Sequence, residues 1–293
     1  MQAAFGSIVK GSELRIHVSP IEPAEQSAVS AFFHSATWRY EHGDFRRGET
    51  RVWPGYVARD EAGHLLGAMG CWLDRPPVAS LLYVAVRGKV LPSRVIAALL
   101  EPHEQDLRQA GATELTFVGL APWLASSLEK AGFRLRTTVI SYERQGWEIP
   151  YIGNARVSVR PAHMADAERL AELDRAAFEP MWRYPAAKHA EMIHRLFHVL
   201  VAELESEVVG YQSSEIWGEQ GQIVRLAVHP SRQRQGIGTR LLAEAIRFFR
   251  SARVKWITLN TQADNTASRR LYERFGFVRT GEDVPALAKS LLD

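Results

Sequence analysis

The chain has 293 residues, of which 46% are hydrophobic and 24% are charged, the balance of a globular protein with about two domains. The formal net charge is only +3, and acidic and basic residues are interleaved, which argues against a nucleic-acid-binding surface. No segment approaches the roughly 18 consecutive apolar residues of a membrane span, and the N-terminus lacks the apolar run of a signal peptide. The single cysteine, Cys71, excludes an intrachain disulfide and a cysteine-cluster metal site. We therefore expect a cytoplasmic protein without a metal, with Cys71 buried in a strand.

Two halves of the chain predict the same elements in the same order: a strand that a proline ends, a helix, a strand pair, a third strand, a helix, a fourth strand and a last helix. The clearest patterns of the first half lie at 16–20, 57–72, 82–86, 95–100, 113–117 and 128–133. Those of the second half lie at 157–161, 166–178, 201–217, 224–228, 241–246, 255–259 and 272–277. The tripeptide Trp-Arg-Tyr also occurs twice, at 38–40 and 182–184. We interpret the chain as a tandem duplication whose elements agree in type throughout.

The segment 145–154 contains Gly, Pro and Asn, which are typical of a linker. It predicts one domain at 1–148 and a second at 149–293. Because the linker is short, we expect two packed domains.

The two halves differ in the loop after the third strand. Val228 lies 142 residues after Val86, whereas Leu241 lies 146 residues after Val95, so the second half has four extra residues there. They fall in 230–239, a glycine-containing loop between a strand and an amphipathic helix. Backbone N–H groups of such a loop and of a helix N-terminus bind phosphate, and Arg232 and Arg234 add positive charge.

Two motifs in the second half resemble those of the GNAT superfamily of acyl-CoA-dependent N-acetyltransferases. Gln233-Arg-Gln-Gly-Ile-Gly238 fits its [Gln/Arg]-x-x-Gly-x-[Gly/Ala] loop, and Asn265 through Phe277 are similar to its downstream motif. The resemblance covers 156–278 well and the first half weakly. It implies an α/β fold of two tandem GNAT-like domains, each with a mixed, mostly antiparallel central sheet flanked by helices.

The resemblance also implies a donor site for acetyl-CoA. The pyrophosphate would bind the loop amides, the pantetheine arm would lie along a splayed strand, and Asn265 would contact the arm. Tyr272 would stand near the thioester sulfur as the general acid, since a phenol with a pKa near 10 is protonated at neutral pH. The implied acetyl-CoA-binding residues are Leu226, Ala227, Val228, Gln233, Arg234, Gln235, Gly236, Ile237, Gly238, Thr239 and Asn265.

The first half departs from these motifs. Its loop, Arg87–Pro92, lacks the paired glycines, and Leu128 stands where Tyr272 stands. Pro102 is expected to interrupt the helix that follows the loop. We therefore expect a degenerate copy that kept the fold and lost acetyl-CoA binding.

The acceptor side is less defined. Glu179, Trp182, Arg183 and Tyr184 lie between two helices that border the acceptor site in this fold, although Trp-Arg-Tyr is present in the degenerate half too, which favours a structural role. Gln222 stands where some relatives carry a glutamate. The general base stays open among Glu179, Glu215, His198 and His229. Pro285 limits the last strand to a sheet edge, so the second half is expected to borrow sheet contacts from the first half or from another chain, which leaves a homodimer open.

The sequence thus favours an N-acetyltransferase that acts on a primary amine of a small molecule or a peptide N-terminus. A narrower reading is acetylation of a cysteinyl amine, as in mycothiol synthesis. A third reading is a non-catalytic acyl-CoA sensor, which would bind acetyl-CoA without turnover.

Overall fold

The computed structural model describes residues 15–43, 54–195 and 198–292, with Asp74 described by its backbone only. The chain divides into two compact units. The first comprises Met1–Trp72, Ser80–Ala110 and Ala121–Phe133, and the second comprises Leu73–Ala79, Gly111–Leu120 and Arg134–Asp293. The boundary at 148/149 concerns the sequence repeat and stays a prediction. Among the residues described, no helix is both long and apolar enough to cross a bilayer.

The first half of the sequence forms alternating strands and helices. Its strands are β1 (His17–Pro20), β2 (Trp38–Glu41), β3 (Tyr56–Arg59), β4 (Leu65–Arg75), β5 (Val78–Val86), β6 (Glu114–Val118) and β7 (Arg134–Arg144). Its α-helices are α1 (Gln26–Ser35), α2 (Pro92–Gln109) and α3 (Pro122–Lys130).

The second half repeats this order, except that, as far as the structure describes it, no strand follows its first helix directly and a second helix stands before its second strand. Its strands are β8 (Ser158–Pro161), β9 (His198–Leu204), β10 (Glu207–Trp217), β11 (Gln220–Val228), β12 (Trp256–Gln262) and β13 (Val278–Ser290). Its α-helices are α4 (Ala167–Ala177), α5 (Ala186–Arg195), α6 (Ile237–Ser251) and α7 (Thr266–Arg274). A mixed, mostly antiparallel sheet with flanking helices is the fold class that the sequence predicts.

The two Trp-Arg-Tyr segments do not adopt the same structure. Residues 38–40 form β2, which pairs antiparallel with β5. Trp182 instead ends a 3₁₀ helix, Pro180–Trp182, and Arg183 continues in an extended conformation. The expectation that the elements agree in type throughout is therefore wrong for this segment, which borders the candidate site.

Two strands are exchanged between the sequence halves. β7 comes from the first half, yet it pairs with β12 on one side and with β13 on the other. β13 in turn pairs with β6 through Ala286–Ser290. The second unit thus contains the strand order β6-β13-β7-β12-β11-β10-β9-β8. The second half does borrow sheet contacts from the first half, the first of the two expected sources.

The expectation that Pro285 confines the last strand to a sheet edge is wrong, because β13 lies between β6 and β7. The carbonyl of Pro285 accepts from the N–H of Gly119, so this backbone position faces the β6 side. The ladder with β6 begins only at Ala286. The N–H that proline lacks is therefore not required by either neighbouring strand.

Pro102 does not interrupt its helix, contrary to the expectation, since α2 is continuous from Pro92 to Gln109. An internal proline costs about 3 kcal/mol. The helix buries Ile96, Leu99 and Leu100 almost completely, and each such side chain contributes about 1.5–3 kcal/mol. This packing offsets the lost hydrogen bond. Cys71 lies in β4 as predicted but is partly exposed.

Candidate active site

Strand β11 separates from β12 halfway along its length. The two strands pair in parallel from Gln220 to Ile223, and their recorded pairing stops there. Opposite the junction of Ser213 and Ser214, Val224 is an extra residue in the ladder with β10, a bulge that bends the strand. Arg225–Val228 continue to pair with β10 only. Over the ranges that the structure describes, this stretch has an open edge on the β12 side, where the resemblance implied a splayed strand.

The loop after β11 leads into α6 through two residues in a left-handed conformation. Arg234 and Gly236 both have positive φ values, +61° and +77°, and Gly236 is the N-cap of α6. For the N–H groups of Arg234 through Thr239, the described part of the chain records no protein acceptor. Orphan amides at a helix N-terminus, with the positive end of the helix dipole, form an anion site. The geometry fits a pyrophosphate.

The linker between the halves supports this loop from outside. Asn154 donates its backbone N–H to Gly236 O at 3.3 Å and its amide Nδ2 to Gln235 O at 2.9 Å. A Cβ on Gly153, whose φ is +78°, would lie 2.4 Å from Arg240 N. Only glycine therefore allows the linker to approach α6 so closely. The sequence assigned these residues to a linker and gave no sign of this contact.

The two loop glycines have different surroundings. A Cβ on Gly236 would lie 3.1 Å from Asn154 N, so a side chain there would point at the linker. A Cβ on Gly238 would instead lie 3.4 Å from Leu271 and 3.7 Å from both Leu226 and Val228, at ordinary contact distances. A larger side chain at Gly238 would therefore press on the side chains of the open stretch of β11 and on α7.

Asn265 and Tyr272 are both on α7. Asn265 is the N-cap, and its Oδ1 accepts from the N–H of Ser268 at 3.2 Å. Tyr272 is 5% exposed and packs in a core cluster with Tyr142 and Phe277. Burial raises the pKa of the Tyr272 phenol to about 12, against a smaller lowering by a hydrogen bond with Ser268. The hydroxyl is thus protonated at neutral pH, as a general acid must be.

All four predicted acceptor residues have partners within the protein, and those of Tyr184 belong to the cluster described below. Glu179 forms an ion pair with Arg136 at 3.1 Å. Arg183 donates its Nε to Phe178 O at 2.9 Å. Trp182 packs against a cluster that includes Met181. We name Phe178–Tyr184 the acceptor segment.

The four candidate bases lie in different places. Glu215 is 8% exposed and pairs across the ladder with Gln222. His198 stacks on Phe248 of α6 at 4.0 Å, and burial lowers its pKa to about 4. His229 accepts from Ser231 beyond the end of β11. Glu179 is in the ion pair described above.

A buried polar cluster lies next to the acceptor segment and was not predicted from the sequence. Asp174, on α4, is fully buried and accepts from Tyr211 and Arg225 and from the backbone N–H of Tyr184. Its Oδ1 lies 4.0 Å from His189 Nε2. One feature of the sequence indicated such a cluster. Asp174 lies on the apolar face of an amphipathic helix, where a carboxylate requires a buried partner.

The corresponding strand of the first half is closed. All nine residues of β5 are buried, whereas only three of nine in β11 are. β2 pairs with Tyr83–Val86, which hold the same positions in β5 as Arg225–Val228 hold in β11. The first Trp-Arg-Tyr segment thus occupies the edge that is open in the second half.

Comparison with known proteins identifies N-acetyltransferases among the proteins similar to this chain. Residues 167–277 match the Acetyltransferase (GNAT) family. The N-alpha-acetyltransferase RimI of Mycobacterium tuberculosis is 33% identical over 131 residues, which are 43% of this chain and 80% of that protein. Mycothiol acetyltransferase of Saccharomonospora viridis is 38% identical over 87 residues, 29% of this chain and 27% of that protein. A tandem GNAT protein from the clavulanic acid biosynthesis pathway shares the fold, with a TM-score of 0.56 at 15% identity, over 95% of this chain and 99% of that one.

Proposed function

We propose, from the premise that this chain belongs to the GNAT family of N-acetyltransferases, that its second half, 149–293, transfers acetyl from acetyl-CoA to a primary amine. The observation that carries the proposal is the open edge of β11 beside a loop of unpartnered amides. The first half, 1–148, is proposed to lack a donor site, because its β2 covers the matching edge.

The residues present fit acetyl-CoA. The amides of Arg234 through Thr239 would hold the pyrophosphate, and the backbone of Leu226–Val228 would pair with the pantetheine arm, as an added strand does. When bound, the cosubstrate supplies an activated acetyl group. The backbone of β11 at its bulge would donate a hydrogen bond to the developing oxyanion, and Tyr272 would protonate the leaving thiolate.

Of the four candidate bases, Glu215 is the one we assign. Side chains alternate along a strand, so Glu215 shares a face of β10 with Tyr211, which contacts the cluster next to the acceptor segment. His198 bonds Gln212 on the opposite face, against α6. Glu215 would accept the amine proton directly or through one water.

The acceptor we favour is a peptide N-terminus. The relative named as an N-alpha-acetyltransferase aligns over 80% of its own length, whereas the mycothiol acetyltransferase aligns over 27% of its length. A cysteinyl amine is the second candidate, since that shorter alignment has the higher identity, 38%.

The test is calorimetric titration of acetyl-CoA into the full chain, followed by measurement of free coenzyme A release. The probes are hexapeptides that begin with alanine and S-blocked cysteine methyl ester. We expect one site per chain and amine-dependent release. Two sites per chain would contradict a first half without a donor site, and absence of binding would reject the proposal.

A further inference from the structure

Arg225 lies on the open strand and contacts the acceptor segment. Its side chain is 10% exposed, and it is paired with the fully buried Asp174. Nη2 also donates to the backbone oxygen of Trp182 at 2.5 Å, and Nε lies 3.2 Å from both Asp174 Oδ1 and the hydroxyl of Tyr211. One guanidinium therefore joins β11, α4, β10 and the acceptor segment.

Both ends of the acceptor segment contact the same cation. The guanidinium carbon lies 3.8 Å from the ring centroid of Phe178 and 4.1 Å from that of Tyr184. The N–H of Tyr184 donates to Asp174 Oδ2 at 2.7 Å. A planar, delocalised cation can stack between two rings while its edge donates hydrogen bonds, which a lysine ammonium cannot do.

The fold itself does not require this ion pair, as the first half demonstrates. Asp174 is the eighth residue of α4, and the eighth residue of α1 is Phe33. Arg225 is the sixth residue of β11, and the sixth residue of β5 is Tyr83. Phe33 and Tyr83 contact each other edge to face, with centroids 6.1 Å apart. The same pair of elements packs in the first half through two aromatic rings.

A buried ion pair is costly to desolvate and is often no more stabilising than an apolar pair. The ion pair is present in the half with the open strand, whereas two aromatic rings replace it in the half with the closed strand. This difference points to a role of the ion pair other than packing. Arg225 directly precedes Leu226–Val228, the proposed pantetheine-binding residues, and follows the bulge at Val224. A shift of Arg225 would change the position of the acceptor segment relative to the donor strand.

We propose that Arg225 is a positioning residue, which together with Asp174 fixes the acceptor segment against the donor strand so that the amine meets the acetyl group in a reactive orientation. This inference rests on the proposed function. It predicts that loss of the Arg225 geometry impairs use of the amine while acetyl-CoA binding persists.

The experiment compares three variants of the full chain. Arg225→Lys keeps the charge but loses the stacking and the forked donors. The double variant Asp174→Phe/Arg225→Tyr introduces the pair of the first half. Arg279→Lys is the control, because Arg279 contacts Asp283 at 2.6 and 2.7 Å on an exposed surface. The readouts are the acetyl-CoA dissociation constant, hydrogen exchange of the peptide covering 178–185, and kcat and KM for the alanine hexapeptide.

We expect Arg225→Lys and the double variant to raise exchange in 178–185 and the peptide KM by at least about tenfold, with acetyl-CoA affinity changed less than about threefold. The control should match the wild type. Unchanged exchange in 178–185, an unchanged peptide KM, or equal loss of acetyl-CoA affinity would each overturn the positioning role. If the wild type turns over no amine, the proposed function fails, and the exchange data still decide whether Arg225 holds the segment.

Discussion

Strands β5 and β11 hold the same place in the repeat, and the comparison between them is the reason why we propose a donor site in one half only. β5 is buried along its whole length, and β2 pairs with Tyr83–Val86. The matching residues Arg225–Val228 keep an open edge, because the acceptor segment does not form a strand there. The difference lies in what a Trp-Arg-Tyr segment does. In the first half the segment forms β2 and closes the edge of β5. In the second half the segment contacts Arg225 and does not pair with β11.

The loops that follow these two strands also differ, in how the next helix begins. α2 begins at Pro92, which has no N–H, after an extended Leu91. α6 begins after Gly236, which has a left-handed conformation, and the amides before and after it have no recorded acceptor among the described residues. The proposed anion site therefore lies beside the open strand, whereas α2 begins without the left-handed glycine that shapes that loop. Each substitution below changes one feature of the second half that distinguishes it from the first half.

The largest effect is expected from closing the open edge with a side chain. Gly238→Phe would place a ring between Leu226, Val228 and Leu271 and should weaken acetyl-CoA binding by more than about 1000-fold, about 4 kcal/mol. Gly238→Ala is the matched control, since its Cβ fits at ordinary contact distances and alanine favours the helix by about 1 kcal/mol. Calorimetry measures both. Retained binding in Gly238→Phe would show that acetyl-CoA does not use this edge.

The buried cluster around Asp174 should make the stability of the second half sensitive to acid. The aromatic pair Phe33 and Tyr83, which takes its place in the first half, has no such effect. Burial lowers the pKa of His189 from 6.5 to about 4. The folded protein thus holds this ring neutral, and stability is lost as the pH falls from about 6.5 toward 4. Each pKa unit corresponds to about 1.4 kcal/mol, so His189 accounts for about 3 kcal/mol.

The variant His189→Phe keeps an aromatic ring against Tyr211, whose centroid is 5.2 Å away, and removes the titration. Urea unfolding at pH 8 and pH 4 measures the free energy of unfolding of both proteins. The wild type should lose about 3 kcal/mol more than the variant between these two pH values. Parallel losses would mean that His189 is protonated in the folded protein.

Tyr272 is the seventh residue of α7, and the seventh residue of α3 is the fully buried Leu128. Tyr272→Phe removes only the hydroxyl, so we expect kcat to fall by about 100-fold while acetyl-CoA affinity stays. Tyr142→Phe is the control, because that hydroxyl contacts Glu273 at 3.1 Å in the same core cluster. Full activity of Tyr272→Phe would leave Tyr272 as a packing residue.

The order of strands and helices and the glycine loop could be predicted because they depend on local patterns and turn chemistry. The exchange of β7 and β13 could not, since strand pairing is non-local and both strands have similar patterns. The structure of residues 38–40 and 182–184 depends on their neighbours, so identical tripeptides gave a wrong expectation. The role of Arg225 could not be predicted either. Its function depends on Asp174, which lies 51 residues earlier in the chain.

The smallest effect concerns the start of α7. Asn265 caps α7 with its Oδ1, whereas Ala121, at the matching position before α3, forms no side-chain cap. Asn265→Ala should lower the free energy of unfolding by about 1 kcal/mol. Asn265→Asp keeps the acceptor oxygen and removes the Nδ2 donor, so it should leave stability within about 0.5 kcal/mol and weaken acetyl-CoA binding by about tenfold if Nδ2 contacts the pantetheine arm. Urea unfolding and calorimetry on the same two variants separate the roles. Equal acetyl-CoA affinity in Asn265→Asp and the wild type would mean that Asn265 serves only as a helix cap. The difference between Asn265 and Ala121 would then affect stability and not acetyl-CoA binding.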